Sequence, residues 1–305
     1  MGDSAKGYDF EICKVCAARA ARPRYALSGR SCPAARLFVC GACGLHYIDY
    51  LDPAETLAPD FEHETPKSGE YVQQYSYRHR HQDHVALLAS HAPLAGKRVL
   101  DVGCGRGMFL SLLKEAGAFV CGLELYDQAV SHARSAGLEV HKVPVEHAFW
   151  QANHAQGFDI ITLWDVIEHV NFPAETLEAC ARLLAPGGLL VVGTPCRDSF
   201  YHRAGAVRYR LSRGRFPTFL NIMYSNHLYG HKQILSTADM RSLYRRAGLA
   251  MLELSKTHEL SIPYRHYLRK LFRSELLAYA AYPPVWILLR LLRIKNKMIA
   301  VGRKP

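Results

Sequence analysis

Between residues 98 and 195 the apolar positions fall into short blocks that alternate between two periods. Arg98–Val102, Phe119–Leu125, Glu139–Lys142, Phe158–Val166 and Leu189–Thr194 are short runs rich in valine, isoleucine and leucine, the pattern of strands buried on both faces of a parallel sheet. Met108–Ala116, Gln128–Ser135 and Ala174–Leu184 carry apolar residues at helical spacing between them. Strand, helix, strand in regular alternation predicts a parallel sheet with right-handed crossovers. A helix opening at Ser236 and stopping at Gly248, a sixth strand at Ala250–Leu254 and a last one at Lys297–Lys304 complete seven strands.

Two long segments interrupt this rhythm. Residues 197–232 hold Arg203, Arg208, Arg210, Arg213 and Arg215 among Tyr201, Tyr209 and Phe216, with no acid after Asp198. Such a lid suits a phosphate or carboxylate, acidic lipid headgroups, or simply a solvated helix face. Residues 257–296 carry Tyr264, Tyr267, Leu268, Leu271 and Phe272 with basic residues on the other side, followed by an uncharged run, 276–289, that contains Pro283 and Pro284. That run is shorter than the roughly 20 residues a bilayer span requires, so it is read as an interfacial anchor, a dimer contact, a lid for an apolar substrate or an extension of the core.

The chain starts differently. Cys13-Lys14-Val15-Cys16 and Cys40-Gly41-Ala42-Cys43 are two C-x-x-C pairs, each able to turn both thiolates toward one ion, and together they predict a closed tetrahedral structural zinc site within a module spanning 1–52. Unrelated buried thiols or a redox pair are the alternatives. Cys32 is a spare thiol. Residues 53–95 are read as a Pro-, Glu- and Thr-rich linker followed by a covering helix, in which His79, His81 and His84 face solvent or, less simply, form a second metal site. Tyr75 and Arg80 of that helix are weak candidates for cofactor contacts.

Composition narrows the partners. The 305 residues are 49% hydrophobic, enough for a full core with a small accessory module, and the net charge of +11 favours anionic partners without choosing among them. Nine cysteines, an odd number, suit a reducing compartment, and the polar stretch 1–12 lacks a signal pattern, so a cytoplasmic protein is expected, with peripheral contact to the inner face of a membrane as an option.

The chemistry centres on Arg98–Gly107. Gly103, Gly105 and Gly107 follow a strand and precede a helix, which lets a ligand approach the main chain at a helix N-terminus. The dinucleotide fingerprint needs a sixth-position glycine where Met108 stands. Glu124, at the end of the next strand, is placed to accept hydrogen bonds from ribose hydroxyls. With Asp101 before the loop, these residues resemble the S-adenosylmethionine (SAM) site of class I methyltransferases. The stretch Phe158–Val170, F-D-I-I-T-L-W-D-V-I-E-H-V, the segment L-L-A-P-G-G-L-L-V-V-G-T-P at 183–195 and Asn226-His227-Leu228-Tyr229 resemble matching segments of that family.

The resemblance implies an α/β fold: a Rossmann-like, seven-stranded class I methyltransferase sheet over 96–305, with an N-terminal zinc ribbon and a helical insertion before the last strand. It places Asp101, Gly103, Gly105, Gly107, Glu124, Leu125, Val145, Glu146, Trp164 and Asp165 around SAM. His169 and His227 become candidate general bases, with His231 behind them, and Cys13, Cys16, Cys40 and Cys43 the zinc ligands. Glu168 and His169 equally suit orienting the loop. Asp165, Glu168 and His169 also resemble the E-x-x-E-H metal motif of ubiquinone-pathway O-methyltransferases, with Asp in place of the first Glu. The implied activity is methyl transfer to an oxygen or carbon nucleophile of a small-molecule, sugar or lipid-linked acceptor, as in bacterial sugar, envelope and natural-product pathways. A zinc-binding RNA methyltransferase and a non-catalytic SAM-binding module are the competing expectations. The N/D-P-P-Y/F motif of adenine N6 methylation is absent.

Overall fold

The computed structural model describes residues 7–28, 32, 34–58, 60–61, 78–216, 218–259, 268, 274–292 and 295–305. In chain order the strands are β1 Ala21–Leu27, β2 Ala35–Cys40, β3 His46–Ile48, β4 Arg98–Val102, β5 Phe119–Leu123, β6 Val140–His141, β7 Phe158–Trp164, β8 Leu184–Pro195, β9 Gln233–Ile234, β10 Ala250–Thr257 and β11 Lys297–Arg303. The helices are α1 Arg78–His91, α2 Met108–Glu115, α3 Asp127–Ser135, α4 Ala148–His154, α5 Pro173–Leu183, α6 Phe200–Leu211, α7 Thr218–Met223, α8 Thr237–Arg246 and α9 Glu275–Leu292. Tyr75 of the expected covering helix lies outside the described residues, as does most of the tyrosine- and arginine-bearing part of 257–296.

The seven-stranded sheet runs β10-β11-β8-β7-β4-β5-β6. β4 pairs in parallel with β5 and β7, while β11 returns antiparallel between β8 and β10. Val99, Leu100 and Val102 of β4 are buried among neighbours on both faces, which is why that strand reads as an unbroken apolar run. Pro186-Gly187-Gly188 does not precede β8 but lies inside it: Gly187 has φ +76, and the register against β7 slips between Phe158 and Ile160. α8 begins at a capping box in which Ser236 and Asp239 satisfy each other's backbone N–H groups.

α1 covers one face of this sheet, where Leu88, Phe109 and Trp164 share an apolar cluster. Here the structure departs from the expectation of solvent-facing histidines. His84 is buried, its ring stacked on Trp164 at 3.5 Å and 6° and its Nε2 3.0 Å from Glu259.

The N-terminal strands form a second, antiparallel sheet, β1-β2-β3-β9, whose fourth strand comes from the far side of the chain. Gln233 and Ile234 pair with Tyr47 and His46. Apolar packing is continuous as well: Val15, Phe38, Leu45 and Tyr47 belong to the same cluster as Leu100, Ile161 and Val192. The cysteine-bearing module is therefore built into the larger domain, and residues 49–57 pass directly from β3 onto its surface.

Candidate functional site

The glycine loop leaves β4 through three left-handed residues, Gly103 (φ +75), Gly105 (φ +55) and Gly107 (φ +83). A side chain at 103 would also collide with its surroundings, since an added Cβ would stand 2.4 Å from Val166 Cγ2. The Gly103 and Cys104 N–H groups donate to the Leu123 carbonyl, which ties the loop to the end of β5. Glu124 follows. Its Oε2 accepts from Gly105 N at 2.9 Å, and its Oε1 accepts from Leu125 N and Tyr126 N at 2.8 and 2.9 Å. Three backbone donors thus fix the carboxylate at the mouth of the loop. Beneath it, Asp101 accepts from Thr162 Oγ1 at 2.6 Å, and burial pushes its carboxyl up to about 7.

These elements border a cavity of about 640 Å³, within the range of pockets that hold a nucleoside-sized ligand. Val102, Gly103 and Gly105 meet Leu123–Tyr126 on one side, and Pro144–Glu146 and Asp165–Phe172 stand on others. Leu51, Asp52, Ala54 and Leu57, all N-terminal to the sheet, and Tyr229 complete the lining.

Of the residues expected around the cofactor, Gly103, Gly105, Glu124, Leu125, Val145, Glu146 and Asp165 meet at this cavity, and His169 joins them. Asp101, Gly107 and Trp164 are placed elsewhere. Asp101 sits under the loop, Gly107 packs toward Leu138, and Trp164 points to the opposite face of the sheet, over Gly193, where a Cβ would fall 2.5 Å from its ring. Strand alternation explains the last case, because consecutive side chains of β7 face opposite sides. His227 is exposed, in the turn closed by Gly230 N to His227 O, and does not line the cavity.

His231 takes the place beside His169 instead, with ring centroids 4.6 Å apart. His169 Nδ1 is 2.7 Å from the Tyr229 carbonyl and His231 Nδ1 is 3.0 Å from that of Met223, contacts in which each Nδ1–H donates. Nε2 is then the basic nitrogen of both rings. Glu168 is fully buried. Its Oε2 accepts from Thr194 Oγ1 at 2.8 Å, its Oε1 has no hydrogen-bond partner among the described residues and lies 3.9 Å from His169 Nε2. Burial, and then the neighbouring Asp165, raise its pKa.

One ligand atom from each of Glu168, His169 and His231 lies within 4.8 Å of the others. Two imidazoles oriented by backbone carbonyls and an unsatisfied carboxylate oxygen form a donor set that fits a divalent cation. Asp165 is drawn out of that set, because its Oδ2 binds Lys297 Nζ at 2.5 Å and Arg80 Nη1 at 3.4 Å.

At the other end of the molecule the four cysteines come together. Cys13 and Cys43 sulfurs are 3.4 Å apart and those of Cys16 and Cys40 3.7 Å. Thiolates at about 2.3 Å from a tetrahedral zinc would be roughly 3.8 Å apart, so the cluster fits that ion.

Sequence reasoning missed Asp52, Tyr229 as a lining residue, and Lys232. Asp52 and Lys232 form a fully buried ion pair, Nζ to Oδ2 at 2.6 Å. Pro53 and Glu55 give the neighbourhood the composition of a linker, and a pair made across so much chain leaves no local periodicity to read.

A family model described as "Methyltransferase domain" matches residues 71–254. Among curated relatives, the ubiquinone biosynthesis O-methyltransferase of Nitrosococcus oceani is 29% identical over 198 residues, which cover 64% of this chain and 80% of that protein. The protein of the same name from Thiobacillus denitrificans is 32% identical over 168 residues, covering 54% and 69%. Two solved structures share the fold at low identity. One is a chain of the Haloferax volcanii complex between the Trm112 methyltransferase activator and a methyltransferase (TM-score 0.53, 17% identity, 79% of this chain and 100% of that one). The other is a Haemonchus contortus N-methyltransferase bound to phosphomonomethylethanolamine and S-adenosylhomocysteine (TM-score 0.54, 14% identity, 79% and 59%).

Proposed function

The chain belongs to the methyltransferase-domain family and is a SAM-dependent methyltransferase, and from that premise we propose that its acceptor atom is a hydroxyl oxygen. The observation that carries this reading is His169 in the lining of the cavity, with Glu168 and His231 clustered against it. Amines near neutral pH need no such group once unprotonated, whereas a hydroxyl must lose its proton as it attacks. The acceptor oxygen displaces the methyl group from the sulfonium, whose C–S electron pair returns to sulfur. The hydroxyl proton passes to His169 Nε2, the nitrogen left basic by the hydrogen bond at Nδ1. Glu124 and the glycine loop hold the cofactor, and much of the acceleration comes from aligning oxygen, methyl and sulfur. In a cation-loaded form Glu168, His169 and His231 would hold the ion, and it would lower the pKa of the hydroxyl in place of His169 as base. The four cysteines hold a structural zinc. The relatives named as ubiquinone biosynthesis O-methyltransferases support an oxygen acceptor.

The acceptor is apolar or lipid-borne. Leu276, Leu277 and Tyr279 on α9 are 83, 59 and 74% exposed, a surface suited to lipid. No helix among the described residues is long and apolar enough to cross a membrane.

Purified protein incubated with methyl-labelled SAM and matched phenol, alcohol, amine and carbon-acid acceptors should yield a methyl ether, identified by mass spectrometry. His169→Ala should lower kcat about 10²- to 10⁴-fold. An N- or C-methyl product overturns the hydroxyl reading, and retained turnover in the variant overturns the base. Flotation with anionic vesicles supports the lipid source; tight, salt-sensitive binding of bulk RNA instead would replace it with a nucleic-acid acceptor.

A further inference from the structure

We propose that the buried Asp52–Lys232 ion pair is a positioning device through which the cysteine-bearing module sets the orientation of His169. The inference rests on the reading of His169 as the group that takes the acceptor's proton.

Three observations carry it. First, both members are enclosed, with side chains 2 and 0% exposed. A pair so deeply desolvated adds little net stability over an apolar pair of the same size, so its contacts are the better guide to its role. Second, those contacts converge on one residue. Lys232 Nζ donates to Asp52 Oδ2 at 2.6 Å, to the His169 carbonyl at 2.5 Å and to the Gly230 carbonyl at 3.4 Å. Asp52 Oδ1 accepts from Tyr229 N at 3.2 Å, and the Tyr229 carbonyl is the acceptor that fixes the His169 ring. The main chain of His169 is therefore held by Lys232, and its imidazole by a residue that Asp52 holds.

Third, the same contacts lock a strained conformation. Tyr229 has φ +53, an unfavourable region for a residue with a large side chain, which persists only where the surroundings over-determine it. Its N–H is bound by Asp52, and its hydroxyl donates to the Thr56 carbonyl at 2.7 Å. Asn171, two residues beyond His169, clasps the Asp52 backbone from the other side, accepting from its N–H at 2.8 Å and donating to its carbonyl at 2.9 Å. Asp52 and Thr56 follow β3, which pairs with β9 directly after Lys232. The ribbon thus reaches His169 by two connected routes, and Asp52, Ala54 and Leu57 border the cavity as well.

The test compares wild-type protein, D52N/K232M, Lys232→Arg and His169→Ala, all full-length, zinc-replete at the cysteines and without added divalent cation. The double variant removes both charges at nearly constant volume, so no lone buried charge remains. Expected results are a SAM Kd within about threefold of wild type, a kcat lower by on the order of 10²-fold, as a displacement of about 1 Å costs, and partial recovery in Lys232→Arg. Nitrogen-15 spectra of the histidine rings should show His169 leaving its single Nδ1–H tautomer for a mixture. Wild-type kcat with an unchanged His169 spectrum overturns the proposal, as does an equal loss in SAM affinity and turnover without a tautomer change. If His169→Ala keeps full turnover, the reading of the base has failed; if that variant is impaired and D52N/K232M is not, only the positioning role has failed. Should circular dichroism show the double variant unfolded, Lys232→Arg, which strands no charge, carries the same readouts with a smaller loss.

Discussion

The two sheets of this protein are held by different means. The seven-stranded sheet has an interior of its own: Val99, Leu113, Ile160 and Val191 are buried in a cluster that the N-terminal strands do not enter, and helices cover its faces. The four-stranded sheet has short strands, borrows its last strand from residues 233–234, and shares its apolar cluster with the larger domain. A module of this size buries too little surface to stand alone, so its neighbour, together with the zinc proposed for the four cysteines, supplies what the core lacks. The cavity takes its lining from both regions. One sheet therefore carries the glycine loop, and the segment that follows β3 of the other supplies part of the cavity wall.

The most severe test of that contrast is to replace Cys13 and Cys40 with serine. A structural zinc is worth about 10–16 kcal/mol to a small module, so metal analysis should find the ion lost and hydrogen exchange should find β1–β3 unprotected. β4 and β8 should keep their protection. Equal protection in all these strands would show that the smaller sheet needs no ion.

A milder perturbation addresses the other sheet. Gly103→Ala meets both a positive φ and Val166, and should cost about 2 kcal/mol, read as a lower thermal midpoint with zinc content unchanged. An unchanged midpoint would mean that the loop relaxes around the methyl group.

The smallest effect is one of sign. Burial, and then Arg197, push His46 of β3 down to about 3 and His202 of α6 to about 4. The unfolded chain takes up protons there below about pH 6.5 while the folded chain does not, so stability on this side falls as pH drops from 6.5 toward 4. Asp101, under the glycine loop, is raised to about 7. There the folded state holds the proton longer, and stability rises as pH drops from 7 toward 4. Thermal unfolding of His46→Gln and Asp101→Asn at pH 5 and 8 should flatten opposite slopes; slopes of the same sign would contradict the assignment.

What the sequence made legible follows the same division. The strands around Arg98–Gly107 announce themselves because a parallel strand buried on both faces must be apolar throughout, and Glu124 is found by its place at a strand end. Trp164 shows the limit: its neighbourhood was readable, but the face it takes depends on Gly193 leaving room on the side opposite the cavity. His227 and His231 stand on one short turn, and the left-handed Tyr229 between them decides which reaches His169. His84 looked solvated because Glu259, its partner, lies far away in the chain. Asp52 was hidden for the same reason.

The pairing of β3 with β9 also fixes an order of events during synthesis. Lys232 follows Asp52 by 180 residues. At about 5–20 residues per second, the ribosome leaves the first module with an open strand edge and an unpaired acid for roughly 9–36 seconds. All four cysteines precede Asp52 in the chain, so metal capture can precede completion of the sheet. A nascent chain stalled before residue 232 would display that edge permanently, a target for chaperones in the cell and for aggregation outside it.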